Sequence, residues 1–207
     1  METIILDFND TIDDNFEVKK EALEKTLKGF GKSKELIVKK VLVEIDRVDM
    51  LHPDWDMIKI VSTALMNIAP KIVEEKAVSI ASEYMKYRAA HARLNPSFVK
   101  TAPALAKKFK IIILTSGNKE HIMQLIQKYK ISKYIEKFYF TNEMGLKKPS
   151  IELLEKVIKE NKIDKNKCIV VGDDIIKDHM PAKLLGIKTV LYSKFVDKLI
   201  SDFNELA

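Results

Sequence analysis

A chain of 207 residues, 46% hydrophobic and 32% charged, is long enough for one large domain or two small ones and has a globular composition. Its net charge of +6 is carried almost wholly by Lys, because Arg47, Arg88 and Arg93 are the only arginines. The lysines alternate with Glu, as in EKVIKENKIDKNK, which reads as a solvated face and excludes nucleic acid as the expected partner. No apolar run approaches the roughly 20 residues that cross a bilayer, so no membrane partner is expected either.

In chain order, METIILDFNDT lacks a basic leader region and reads as a first strand, Thr3–Leu6. Residues 14 to 95 then carry only helical periodicity: Leu23, Leu27 and Phe30 form one stripe, and Leu36, Ile37, Val41, Ile45 and Val48 another. Breakers at Gly29/Gly31, at His52-Pro53 and at Pro70 divide this block into about four helices. From about residue 96, strands are expected at Lys110–Leu114, Lys137–Thr141, Cys168–Val171 and Lys188–Tyr192. Between them, KEHIMQLIQKYK, IELLEKVIKENK and PAKLLG read as helices, the last stopped by Gly186, and VDKLISDFNEL reads as a final one.

Strands alternating with helices of this length imply an α/β fold, a Rossmann-like parallel sheet with helices on both faces. The helical block is expected as an all-helical insertion after the first strand. The domains are then 1–13 with 96–207 as core and 14–95 as insertion. The single cysteine, Cys168, opens the apolar run CIVV and is expected as a buried strand residue, which suits the cytoplasm.

Polar groups recur where strands end, which is where a parallel sheet binds ligands. Asp7 follows the first strand, within Asp7-Phe8-Asn9-Asp10-Thr11; a carboxylate there can be a nucleophile, a metal ligand or a helix cap. Thr115-Ser116-Gly117-Asn118 follows the second and is either an anion site or a simple cap. Lys148 precedes the helix start Pro149-Ser150. Asp173 and Asp174 follow Gly172, with Asp178 close behind; such a cluster favours a hard cation such as Mg²⁺ unless it is merely an acidic loop.

Taken in order, Asp-x-x-x-Thr, Thr/Ser, Lys-Pro and Gly-Asp-Asp-x-x-x-Asp resemble the four motifs of the haloacid dehalogenase superfamily. The resemblance implies that residues 14–95 are a cap and that Asp7 is a nucleophile forming an aspartyl-phosphate. It implies that Thr115 and Ser116 bind phosphate, and that Lys148 neutralises Asp7 and the phosphoryl group. Mg²⁺ would be held by Asp7, the Asn9 carbonyl and Asp173, with Asp174 and Asp178 in support. The substrate is then a small phosphorylated metabolite, and the protein a monomer or homodimer.

The departure is Asn9, which stands where phosphatases of this superfamily usually carry an acid–base aspartate. It keeps the carbonyl but cannot shuttle a proton, so turnover is expected to be slow; Asp10, one residue on, should aim elsewhere. Two alternatives stay open: a phosphate-binding or regulatory protein without turnover, and a carbon–halogen or carbon–phosphorus bond hydrolase. Trp55 with His52 is read as packing and His91 as part of a solvated helix face, while His179 is expected to face away from the site.

Overall fold

The computed structural model describes residues 2–27, 34–52 and 55–192. Contacts divide the chain into two units, residues 1–14 with 93–207 and residues 15–92.

The first unit is built on five parallel strands, β1 (Glu2–Leu6), β2 (Phe109–Thr115), β3 (Lys137–Phe140), β4 (Cys168–Gly172) and β5 (Lys188–Leu191), in the order β3-β2-β1-β4-β5. β-Branched and aliphatic runs form the central strands because both faces are covered: Ile5 and Ile112 are buried, and so are their alternating neighbours Ile4, Leu6, Ile111 and Ile113. Leu6 pairs with Ile113 on one side and with Val171 on the other, so the carboxyl ends of β1, β2 and β4 fall within two residues of one another. That register positions the site.

Three helices and two short helical turns follow in this unit: α5 (Pro96–Lys108), α6 (Lys119–Lys128), α7 (Thr141–Met144), α8 (Ile151–Glu160) and α9 (Met180–Leu184). Leu153, Leu154, Val157 and Ile158 of α8 pack on Ile5, Ile112, Leu114 and Val170 of the sheet. Cys168 is buried in the same cluster, and burial pushes its thiol up to about 11, which makes it inert packing.

Two features of this unit differ from the sequence expectation. The helix α5 was not expected: Asn95 caps it by accepting from the Ser97 N–H, but its internal Pro103 interrupts the helical signal. The third strand stops at Phe140, and Thr141 opens α7, which Gly145 ends in the left-handed region at φ 67°. The reading of VDKLISDFNEL, and the breakers at Gly29/Gly31 and Pro53, lie outside the described residues.

The second unit holds α1 (Asn15–Thr26), α2 (Lys34–Leu51), α3 (Met57–Ile68) and α4 (Glu74–His91). Its core joins Val38, Val41, Leu42, Ile45 and Val48 of α2 to Ile60, Val61, Ala64 and Leu65 of α3, with Ala77, Ile80, Ala81 and Tyr84 of α4. Leu36 is not part of that stripe. The buried face of α2 runs 38-41-42-45-48, and Leu36 lies off it, 57% exposed. Trp55 packs against the core, with His52 stacked at 3.8 Å and Lys59 Nζ 3.9 Å from its ring centre. His91 is exposed and stacks on Tyr87 at 3.7 Å. Among the described residues no helix is long and apolar enough to cross a membrane.

Candidate active site

Asp7 continues the ladder one step past β1, its N–H donating to the Val171 carbonyl at 2.9 Å, which delivers its carboxylate to the carboxyl edge of the sheet. The chain then turns sharply: the N–H groups of Thr11, Ile12 and Asp13 all donate to the Phe8 carbonyl. Phe8 and Ile12 are fully buried and anchor the turn. Asp10 sits in the left-handed region at φ 58°, and its N–H donates to Asp13 Oδ1 at 2.7 Å.

Thr115 ends β2, fully buried, and its Oγ1 accepts from the Gly117 N–H at 3.0 Å. Ser116 is exposed on that turn, and Asn118 caps α6 by accepting from the His121 N–H. A Cβ on Gly117 would lie 2.7 Å from Ile122 Cδ1, 3.2 Å from Asn9 Nδ2 and 3.3 Å from Thr115 Oγ1. The Asn9 amide therefore packs against this turn, and only glycine leaves room between them.

Lys148 ties the site together. Its Nζ lies 2.6 Å from Asp7 Oδ1 and 2.6 Å from Asp178 Oδ1, with the three side chains 7, 11 and 3% exposed. Asp173 joins them: one carboxylate oxygen from each of Asp7, Asp173 and Asp178 lies within 4.8 Å of the others. Asp174 is turned to local work. Its carboxylate accepts from the Ile176 and Lys177 N–H groups and caps one π-helical turn, Ile175–His179, while its own N–H donates to Asp178 Oδ2.

That turn also explains a residue misjudged from sequence. His179 is buried, with Nε2 2.9 Å from the Gly172 carbonyl, because the widened turn brings both Asp178 and His179 inward. A helical projection separates adjacent residues, and no residue pattern announced the wide turn. Gly172 had a signal, a glycine at a strand end: a Cβ there would lie 2.3 Å from Asp178 Oδ2.

The electrostatics follow from crowding. Burial pushes the Asp7 carboxyl up to about 6 against the opposing pull of Lys148, and Asp178 adds to the rise. Asp173 remains open to solvent on one side, yet desolvation at the crowded strand end, then the like charges of Asp7, Asp10 and Asp178, push it up to about 7. Burial alone would pull the Lys148 ammonium down, but Asp7 and Asp178 outweigh it and hold it above its ordinary range. One ammonium among three carboxylates leaves an excess of negative charge. Hard oxygen donors at this spacing, with one open side, fit a small divalent cation.

The sequence model of the haloacid dehalogenase-like hydrolases matches residues 4–192. The chain belongs to this family. A glyceraldehyde 3-phosphate phosphatase from Methanocaldococcus jannaschii is 26% identical over 149 residues, 70% of this chain and 64% of that protein. The matched segments span 35% to 64% of the glyceraldehyde 3-phosphate phosphatases' own lengths. The HAD-hydrolase YfnB from Bacillus subtilis, solved with bound magnesium, superposes with a TM-score of 0.76 at 16% identity, covering 99% of this chain and 96% of that one. An L-2-haloacid dehalogenase from Xanthobacter autotrophicus, with chloropropionic acid covalently bound, superposes at 0.65 with 12% identity over 97% of this chain and 81% of that one. At these identities the structural likeness is one of fold.

Proposed function

We propose that this family member is an Mg²⁺-dependent phosphatase of a small phosphorylated metabolite, working in the cytoplasm through an aspartyl-phosphate on Asp7. The observation that carries this reading is Lys148 Nζ, held between Asp7 and Asp178 with Asp173 in reach. Relatives named glyceraldehyde 3-phosphate phosphatase support a phosphomonoester as the substrate class. In this reading residues 1–13 with 96–207 are the catalytic core, and 14–95 the cap.

Asp7 and Asp173, with the Asn9 carbonyl, would hold Mg²⁺, whose charge lets a carboxylate and a phosphate approach each other. Every other part of the work falls to side chains. An Asp7 carboxyl at about 6 is mostly ionised at neutral pH, as a nucleophile requires. An Asp7 oxygen attacks phosphorus, the bond to the leaving oxygen breaks, and water later cleaves the aspartyl-phosphate to return Asp7 and free phosphate. Lys148 offsets charge on Asp7 and on the transferring group, while Thr115 and Ser116 donate to its oxygens. Asn9 has no proton to give the leaving oxygen, so alkyl phosphates turn over slowly.

Asn9 also favours a second reading, a phosphate-binding protein without turnover. Release of inorganic phosphate from an activated aryl phosphate, with and without Mg²⁺, separates the two. Metal-dependent release that Asp7→Asn abolishes supports the phosphatase; no release, with phosphate still bound, selects the binding protein.

A further inference from the structure

Two buried side chains outside the acidic cluster are bonded to each other and to the segments that carry it. Tyr192, just past β5, is 2% exposed, and its hydroxyl accepts from Asn95 Nδ2. Asn95, 6% exposed, is oriented by its cap: Oδ1 accepts from the Ser97 N–H at 2.9 Å, which leaves Nδ2 to face Tyr192. Its own N–H donates to the Ile12 carbonyl at 2.7 Å, at the end of the turn that begins at Asp7. The bridge between Asp13 and Leu94 beside it keeps that pairing in register. At the other end the Tyr192 N–H donates to the Gly172 carbonyl at 2.9 Å, one residue before Asp173.

These bonds close a ring at the carboxyl edge of the sheet. From Asp7 it runs through the turn at residues 8–12, over Asn95 and Tyr192 to Gly172 and Val171, and returns by the Asp7 N–H donating to the Val171 carbonyl. Phe8, Ile12 and Val171 are 0, 0 and 1% exposed. A donor buried this deeply loses its full desolvation penalty if its partner leaves, so each link resists opening. The link between Asn95 and Tyr192 is the one made by side chains. Asp7 stands on the ring at one end, and Asp173 adjoins it at the other. The ladder between β1 and β4 fixes where these two residues start; the ring also fixes the turn and the strand end beyond it.

We propose, on the metal-dependent reading above, that Asn95 and Tyr192 are positioning residues, a buried clasp that sets the spacing of the Asp7 and Asp173 carboxylates for a small divalent cation. Mg²⁺ demands near-ideal octahedral geometry at about 2.0–2.1 Å, whereas Ca²⁺ accepts about six to eight oxygens at about 2.3–2.6 Å in flexible arrangements. A clasp that holds two carboxylates at close spacing therefore favours Mg²⁺, and loosening it costs Mg²⁺ more than Ca²⁺. Partners directly behind metal ligands are worth about 10- to 100-fold in affinity. Acting through backbone one step further back, the clasp is worth about 3- to 10-fold.

Displacement of Mn²⁺ from the full chain, followed by the EPR signal of the free ion, reads Mg²⁺ and Ca²⁺ affinities well below the melting temperature. Tyr192→Phe keeps the aromatic packing and removes only the hydroxyl. Its Mg²⁺ affinity should fall about 3- to 10-fold, and its Ca²⁺ affinity by less than about twofold. Asn95→Ser keeps a capping oxygen for the Ser97 N–H but is too short to reach Tyr192, so it gives the same readout should Tyr192→Phe fold poorly. The double variant should be no weaker than the weaker single, because both break one link. Ile158→Val, a core change in α8 outside the ring, should destabilise the fold and leave both affinities as they are. A parent that binds none of the three cations overturns the metal reading, and the clasp with it. A parent that binds them while both single variants bind equally well overturns the clasp alone. So do variants that lose Mg²⁺ and Ca²⁺ in the same proportion, or singles whose losses add in the double.

Discussion

At Asn9 an amide stands two residues after Asp7 and packs against the Gly117 turn, where a carboxylate could face a leaving oxygen. On the proposed phosphatase reading, Asn9→Asp supplies a proton donor that Asn9 lacks, so kcat on an alkyl phosphate should rise about 10²-fold or more, the lower end of what positioned acid–base groups contribute. KM should move much less, because the gain belongs to the transition state, and an activated aryl phosphate should gain least. Asp10 is the control: its charge already reaches Asp173 and its backbone is held at φ 58°. If Asp10→Asn abolishes turnover in the parent while Asn9→Asp changes nothing, Asp10 is the acid. Lys148 tests the other half of the site. Lys148→Met leaves Asp7 and Asp178 facing each other, 11 and 3% exposed, without the cation between them. Removing one partner of a buried ion pair costs about 3–5 kcal/mol, which urea unfolding should register. Adding Asp178→Asn should recover part of the loss, since it removes one stranded charge.

Among the elements, the strand ends and the turn after β4 decide whether these side chains meet. The π-helical turn Ile175–His179 is held at one end by the Asp174 carboxylate and at the other by the His179 contact with Gly172, and Asp178 lies between. Gly172→Ala would drive a methyl into Asp178, 2.3 Å from Oδ2 and 2.8 Å from its Cβ. Crowding of this kind costs about 1–3 kcal/mol, and it should pull Asp178 away from Lys148. The variant should therefore lose activity beyond its loss of stability, which kinetics well below its melting temperature can separate. His179→Ala removes one of two partners of the Gly172 carbonyl, which still accepts from the Tyr192 N–H at 2.9 Å, and should lower stability by about 0.5–1.5 kcal/mol. If Gly172→Ala unfolds at the parent's denaturant concentration and retains full turnover, the turn does not hold Asp178 as described.

For the whole molecule, the acidic cluster links stability to pH and to metal. An unfolded aspartate titrates near ~3.9, whereas Asp7 and Asp173 are pushed up to about 6 and about 7 in the fold. Between those limits the folded chain holds more protons than the unfolded one, so these groups make the metal-free protein less stable as pH rises from about 4 to 7. A bound divalent cation replaces those protons. The rise in melting temperature on adding millimolar Mg²⁺ should then be larger at neutral pH than at mildly acid pH, by mass action on the folded state. Asp173→Asn should remove most of that rise. An equal Mg²⁺ effect at both pH values, or one unchanged in Asp173→Asn, would exclude Asp173 as a ligand.

Much of the core was legible because its determinants are local. Runs such as IIIL and CIVV are β-branched and apolar enough to demand burial on both faces, and polar groups at their carboxyl ends stand where a parallel sheet opens to ligand. Asp7, Thr115 and Asp173 could therefore be picked out, since each follows a strand directly or ends it. What the sequence alone could not decide was anything set by widening, interruption or surroundings. The Pro103 interruption masked α5; the wide turn placed His179 beside Asp178; and Leu36, apolar like its neighbours, faces outward because the buried stripe of α2 starts at Val38. Lys148 shows the division most clearly. Its position before a helix could be read from Pro149-Ser150, but its salt bridges run to residues 141 and 30 positions away. Only the sheet register and the turn after β4 bring those two carboxylates within 2.6 Å of one ammonium, because contacts between distant segments are fixed by packing and not by any local pattern.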